Sequence, residues 1–186
     1  MPNPTQLSDD EILNLFRDEK TKDRAFTALV QKYQHIIYNN IRRVVFLHED
    51  TSDVMQNVFI KIWQYLSNFR GDSNLKTWII RICLNEAMTF IKKKKELCNL
   101  NDDSYTDFML KTAAEEKYFS SDKIESLIQH AIALLPERQR VVFAYRYFDE
   151  MPYEEMSQIL EVSVSALKTS YHFAYQKVVD YINKNS

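Results

Sequence analysis

A single glycine in 186 residues is the most telling thing this sequence withholds. It leaves no room for a P-loop or a GxGxxG turn, so the usual phosphate-cradling enzymes are excluded. Four prolines join it, against averages of ~5% proline and ~7% glycine, so the chain has few breakers and reads as mostly helix. No stretch approaches the ~18 consecutive apolar residues of a membrane span, and MPNPTQLSDDEIL lacks the basic and apolar regions of a signal peptide. The two cysteines, Cys83 in an apolar helical segment and Cys98 in a polar one, form no CxxC and have no histidine nearby. They read as free thiols in a reducing cytoplasm. His35, His48, His130 and His172 are scattered without an i,i+4 pair, and no GxSxG appears, so no metal, cofactor or catalytic residue is expected. The net charge of -2 gives no overall basic field either.

What is present is 45% apolar sequence, enough for real cores. Long segments of helical period fill residues 11–95, residues 97–122 lose that regularity, and the pattern resumes near Lys123. The expected fold is all-α: two small helical domains, 1–96 and 123–186, joined by a flexible acidic linker, 97–122. Charge follows the same division. Residues 1–96 carry 15 basic and 12 acidic side chains, 97–122 carry 2 and 6, and 123–186 carry 7 and 8. The linker reads as extended, either lying in a basic channel of a partner or serving as a plain solvated tether.

In the C-terminal part, Pro136 and Pro152 stand where helices begin, and Glu154 and Glu155 favour the positive end of the second helix dipole. Tyr153, Met156, Ile159 and Leu160 make its buried stripe. Glu161-Val162-Ser163 forms a turn with Ser163 as N-cap. The last helix buries Val164, Leu167, Tyr171, Ala174 and Val178, which turns Ser165, Thr169, His172 and Gln176 outward with Lys168 at the edge. Such short polar side chains hydrogen-bond bases or phosphates. A tri-helical domain that binds no DNA has the same periodicity.

The N-terminal part is denser. From Val54 to Leu66, nine of thirteen residues are apolar or aromatic, more than one stripe requires. Met55, Phe59, Ile62 and Leu66 are assigned to the domain's own core. Val58, Ile60 and Trp63 then partly face elsewhere beside Asp53, Gln56, Asn57 and Lys61, a mixture that suits a protein–protein surface. A helix buried on two sides reads equally well. SNFRGDSN, with the only glycine, joins this helix to one that begins near Ser73-Asn74. That helix carries Lys76, Thr77, Trp78, Arg81 and Asn85 and ends in Lys92–Lys95. Cations and amides with an aromatic beside a polar loop suit melted nucleic acid, although a lysine run at a helix C-terminus is also an ordinary solvated end.

DTSDVMQNVFIKIWQYL, FRGDSNLKTWIIRICLNEAMTFIKKKK and LPERQRVVFAYRYFDEMPYEEMSQILEVSVSALKTSYHFAYQKV resemble, in this order, the core-binding, promoter-melting and minus-35-reading segments of the extracytoplasmic-function (ECF) class of sigma-70 factors. Each motif is moderately specific, and the three in sequence across a short acidic linker are highly so. The resemblance implies a region 2 helical bundle and a region 4 helix-turn-helix. It also implies a subunit that gives bacterial core RNA polymerase its promoter choice, without catalysis. By position, Asp53, Val54, Gln56, Asn57, Ile60, Lys61 and Trp63 would meet the polymerase. Asn68, Phe69, Arg70, Gly71, Asp72, Ser73 and Asn74 would cradle a flipped base of the minus-10 element. Lys76, Thr77, Trp78, Arg81 and Asn85 would line the strand, and Lys92, Lys93, Lys94 and Lys95 would meet duplex phosphate. Ser163, Ser165, Lys168, Thr169, His172 and Gln176 would face minus-35 DNA. The implied partners are core polymerase, promoter DNA and an anti-sigma factor, with a cytoplasmic monomer when free and no stable membrane insertion.

The chain departs from the family where Glu161 replaces a common turn glycine and Pro152 a common serine cap. Ser170, Phe173 and Tyr175 stand where arginines are common. Two rivals are a response-regulator-type helix-turn-helix dimer, which needs a parallel sheet and leaves the Trp63 helix idle, and a helical adaptor that binds proteins only.

Overall fold

Caps and prolines set where the helices of this chain begin. The computed structural model describes residues 7–115 and 122–185. Among those residues lie α1 (Asp9–Phe16), α2 (Lys22–Val45), α3 (His48–Tyr65), α4 (Leu75–Cys98), α5 (Asp102–Glu115), α6 (Lys123–Ala133), α7 (Glu137–Tyr147), α8 (Tyr153–Leu160) and α9 (Val164–Asn185). Ser8 and Glu11 form a reciprocal capping box on α1: Ser8 Oγ accepts from the Glu11 N–H at 3.2 Å, and Glu11 Oε2 accepts from the Ser8 N–H at 2.7 Å. Asn74 Oδ1 accepts from the Thr77 N–H at 2.7 Å and opens α4. Pro136 and Pro152 immediately precede α7 and α8, as their missing N–H allows. Asn99 ends α4 in the left-handed conformation while Leu100 N–H reaches back to Lys95 O at 2.9 Å. The helix therefore runs past the lysine run rather than ending on it.

α1 to α4 pack into one bundle and α6 to α9 into another. In the first, Leu29, Ile37, Ile41, Val58, Ile62, Ile79, Cys83 and Ala87 are all fully buried. The buried stripe of α3 is Val54, Val58, Ile62 and Leu66, with Met55, Phe59 and Trp63 at its edges. This shifts the expected stripe by one side chain. Val58, expected to face partly outward, is central.

Two features go beyond the sequence reading, which left open how the lobes pack on each other. Within the stretch expected to be extended, Asp102–Glu115 is a helix, opened by Asn101, whose Oδ1 accepts from Ser104 N–H at 2.8 Å. Tyr105, Met109 and Ala113 are its buried residues, spaced by four, and the first two join the N-terminal core. Second, the lobes do not keep separate cores. Val141, Val142, Tyr145, Met151, Met156, Ile159 and Leu167 belong to the same buried cluster as the first bundle. Among the described residues, Ala131, Ile132, Leu135, Phe143, Ala174 and Val178 form a distinct C-terminal core.

The junction is polar as well as apolar. α7 is buried from Arg140 to Tyr145 without a break, because α2 covers one side and α9 another. Arg140, 2% exposed, donates to Ala133 O and to Val44 O, both at 3.1 Å, and lies over the Phe46 ring at 4.7 Å. Phe46 has φ 65°, and Leu47 N–H donates to Val45 O across it at 2.8 Å, a three-residue γ-turn between α2 and α3.

Two outcomes test this packing. Cys83 is buried and its thiol pKa is pushed well up by burial, whereas Cys98 is exposed. A thiol–disulfide reagent should titrate one thiol in the native chain and two in denaturant; rapid reaction of both without denaturant would contradict the core. Arg140→Met should cost roughly 2–3 kcal/mol by uncovering acceptors that a charged donor now satisfies. Urea unfolding measures it, and a neutral effect would mean the junction is not formed.

Candidate nucleic-acid interface

Three surfaces gather the residues expected to work. On α3, Asp53, Gln56, Asn57, Ile60 and Lys61 are exposed and recur at spacings of three and four, so they share one face. Ile60 is 54% exposed, an apolar centre among amides and charges. Lys61 Nζ holds Glu86 of α4 at 2.5 Å. Val54 is not part of this face: at 1% exposure it packs inward. Trp63 is also turned in. Its ring meets Phe16 and Phe26 edge-on at 5.4 and 5.0 Å, and Lys22 Nζ lies 4.9 Å above it. Val54 is therefore corrected to a core residue, while Trp63 stays half-buried at the edge of the bundle. Their i,i+4 neighbours Val58 and Phe59 pull that side of the helix into the bundle.

The second surface is a cleft of 450 Å³ lined by Asn68, Phe69, Arg70, Asp72, Ser73, Trp78, Arg81 and Gln158. A short 3₁₀ turn at Leu66–Asn68 starts its wall, and Gly71 turns the loop at φ +79°, a conformation that favours glycine. Phe69 and Trp78 lie 5.5 Å apart with their rings tilted at 60°. An aromatic wall beside amides and an arginine is suited to hold a planar base by stacking and edge hydrogen bonds. Lys76 and Asn85 are exposed further along α4.

Other members of the expected strand-binding set are already engaged. Thr77 is only 1% exposed, and its hydroxyl donates to Glu155 Oε1 at 3.0 Å. Arg81 Nη2 donates to Gln158 O at 2.5 Å, and its Nη1 lies 3.8 Å from Glu161. Lys92 and Lys93 are exposed. Lys94 instead binds both carboxylate oxygens of Asp50, at 2.7 and 2.6 Å. Lys95 binds Asp102 at 2.9 Å and also Glu137. Burial works against the Lys95 charge, but the hydrogen bonds and charges of Glu137 and Asp102 outweigh it and hold the pKa above the ordinary lysine value. The run of four thus splits into two open and two engaged cations.

The third surface is the α8–turn–α9 unit. Glu161 adopts φ 55°, ψ 37° in the turn, a left-handed residue where glycine would avoid roughly 1–2 kcal/mol of strain. Ser163 Oγ accepts from Ala166 N–H at 3.3 Å and caps α9. Ser165, Lys168, Thr169, His172 and Gln176 all point outward. Thr169 uses its hydroxyl on Ser165 O at 3.1 Å, and Lys168 Nζ sits 5.8 Å over the Tyr153 ring. Phe173 and Tyr175 are exposed beside them.

The sequence reading missed Asp50, Glu137, Glu155, Gln158 and Arg140. In the sequence Glu155 reads as serving the helix dipole alone, and no periodic signal pairs a side chain with one about eighty residues away. Among the described residues, no three His, Cys, Asp or Glu side chains are grouped to hold a metal ion, and no helix is long and apolar enough to cross a membrane.

The description Sigma-70 region 2 matches residues 29–96, and Sigma-70, region 4 matches residues 125–178. The chain is 30% identical over 173 residues to the RNA polymerase sigma-H factor of Pseudomonas aeruginosa PAO1, covering 89% of each. It is 28% identical over 172 residues to the ECF RNA polymerase sigma-E factor of Escherichia coli K12, covering 88% of each. CnrH, solved in complex with the cytosolic domain of CnrY, has the same fold with a TM-score of 0.65 at 20% identity, over 94% of this chain and 97% of that one. The sigma factor RpoE of Bartonella quintana, solved with the anti-sigma factor NepR, gives 0.64 at 16%, over 85% and 96%. With both regions matched in order and a relative aligned along nearly its whole length, the chain belongs to the sigma-70 family, whose members direct promoter-specific transcription initiation and carry no catalytic site of their own.

Proposed function

We propose that residues 1–96 dock on the core polymerase through the exposed face of α3 and hold the melted minus-10 strand in the cleft beside Trp78. Residues 97–122 link this part to residues 123–186, whose α9 faces minus-35 DNA. Asp53, Gln56, Asn57, Ile60 and Lys61 are the docking residues. Asn68–Asn74, Lys76, Thr77, Trp78, Arg81, Asn85 and Lys92–Lys95 are the strand-reading set. Ser163, Ser165, Lys168, Thr169, His172 and Gln176 are the duplex-reading set. The protein works in the cytoplasm, and an anti-sigma factor is its natural inhibitor.

The observation that carries this reading is the cleft, where an aromatic wall, backbone turned by Gly71 and the Arg81 guanidinium converge on a space for a base. Stacking on an aromatic contributes about 1–3 kcal/mol per base and tolerates any sequence. The Asn68 amide, which lines the cleft, adds edge recognition. α9 brings one lysine and no arginine among its outward side chains from Ser165 to Gln176, so its grip on duplex phosphate is weak. Weak grip suffices when both lobes sit on one polymerase. The second contact is then intramolecular, at an effective concentration on the order of mM for short flexible linkers.

Gel shifts with a promoter fragment should show little binding by the free chain and strong binding once core polymerase is added; tight specific binding without polymerase would count against the tethering argument. Asp53→Ala with Gln56→Ala should weaken polymerase binding about tenfold or more, a loss of about 1.4 kcal/mol. Asn74 separates structure from reading. Asn74→Asp keeps a good N-cap and should hold stability within about 0.5 kcal/mol, whereas Asn74→Ala should cost about 1 kcal/mol. If Asn74 faces DNA, the aspartate should still cut open-complex formation about tenfold, because it brings a carboxylate to a polyanion. Unchanged transcription by that variant would remove Asn74 from the interface.

A further inference from the structure

No residue of α1 serves the docking face or the base cleft, yet this helix walls a second cleft against the same loop. The second cleft encloses 600 Å³ between α1 and the start of α4, and Asp10, Leu13, Arg17, Lys32, Arg70 and Asn74 line it. Phe69, Arg70 and Ser73 line the base cleft too, so the loop is a wall common to both. Their order along α4 is clear. The base cleft reaches Trp78 and Arg81, whereas the second stops at Asn74 and Leu75. The lysines assigned to duplex phosphate stand toward the opposite, C-terminal end of that helix. A strand running from the duplex through the base cleft therefore reaches the second cleft next.

The polar groups of this cleft differ in what they already hold. Asp9 accepts from Lys32 Nζ at 2.7 Å and from the Tyr33 hydroxyl at 2.8 Å, which fixes α1 on α2. Lys32 also donates to Leu7 O at 3.1 Å. Ser8 and Glu11 are closed on each other in the capping box. Arg17 reaches exposed Asn14 at a long 3.5 Å. Asp10 and Arg70 are exposed and form no ion pair among the described residues. Two cations and one carboxylate are thus left to meet a ligand. Arginines along a strand path take phosphate. A carboxylate there repels phosphate and takes instead a donor on a base edge. Of the two pyrimidines, cytosine offers it an amino group and thymine an acceptor oxygen.

We propose that α1 completes a second base subsite, in which Asp10 selects cytosine over thymine at the nucleotide after the flipped base, while Arg17 and Arg70 hold the flanking phosphate. The inference rests on the reading of the first cleft as a base site. It makes α1 a specificity element, although the match to region 2 starts only at residue 29.

The test uses the full-length chain with core polymerase on a promoter library randomised across the minus-10 element. Sequencing of the run-off transcripts gives the base preference at each position. Wild type should favour cytosine over thymine about tenfold at the position after the most selective one. Asp10→Asn leaves the capping box intact and should bring that ratio near one, because an amide offers donor and acceptor alike. Preferences elsewhere should not move. Arg17→Gln should lower output several-fold for all sequences alike, as loss of a phosphate contact does. An Asp10→Asn base profile identical to wild type, or a wild type indifferent between the two pyrimidines there, overturns the proposal. Full output from Arg17→Gln overturns its phosphate contact. Asn68→Ala, on the wall of the first cleft, keeps the two failures apart. If it changes the preference at the most selective position while Asp10→Asn changes none, only the second subsite is lost. If neither variant shifts any preference, the reading of the base cleft fails with it.

Discussion

A guanidinium removed from water must find acceptors, and Arg140 finds them on two different lobes. One hydrogen bond goes to the end of its own preceding helix at Ala133 and the other to the end of α2 at Val44, with the Phe46 ring beneath. Hydrogen bonds from a charged donor are among the stronger ones, and an arginine left without them in the interior would be costly. Of the six buried residues from Arg140 to Tyr145, Phe143 packs in the C-terminal core, whereas Arg140, Val141, Val142 and Tyr145 depend on the first bundle lying against α7. The shared core, the position of α8 over α4 and the covering of Thr77 all follow from that placement.

Local signals in the sequence were strong, and the structure follows them closely. Pro136, Pro152, Asn74 and Ser163 mark helix starts because each acts on backbone groups within three residues of itself. The outward set on α9 was legible because Leu167, Ala174 and Val178 keep an unambiguous 3.6-residue period. α3 was harder. With nine apolar residues in thirteen, the pattern fits two neighbouring stripes, and the neighbours of the helix chose the one through Val54 and Val58. α5 escaped notice because its buried residues, Tyr105, Met109 and Ala113, are only three among many polar ones.

The candidate site shows the same division. The loop around Gly71 and the aromatic pair Phe69 and Trp78 lie close in sequence, and so could be read together. The partners of Thr77, Arg81 and Lys95 come from α8, from the turn after it and from the start of α7. Their pairing depends on how two bundles meet, which no single-element pattern encodes. A basic and amide-rich face and an acidic helix were both visible in the sequence, but not that one covers the other.

The γ-turn at Phe46 ties these events to the far side of the molecule. The turn strains its backbone to φ 65° and sits under Arg140, one residue before α3 is capped by Leu47. Moving α7 away strips the ring of its cationic lid and leaves the Val44 carbonyl to water. The first turn of α3, which leads directly to Asp53, is held besides by Lys94 on Asp50 and by Tyr38 on His48. The short connection between α2 and α3 is thus where the junction of the two lobes and the base of the exposed α3 face adjoin.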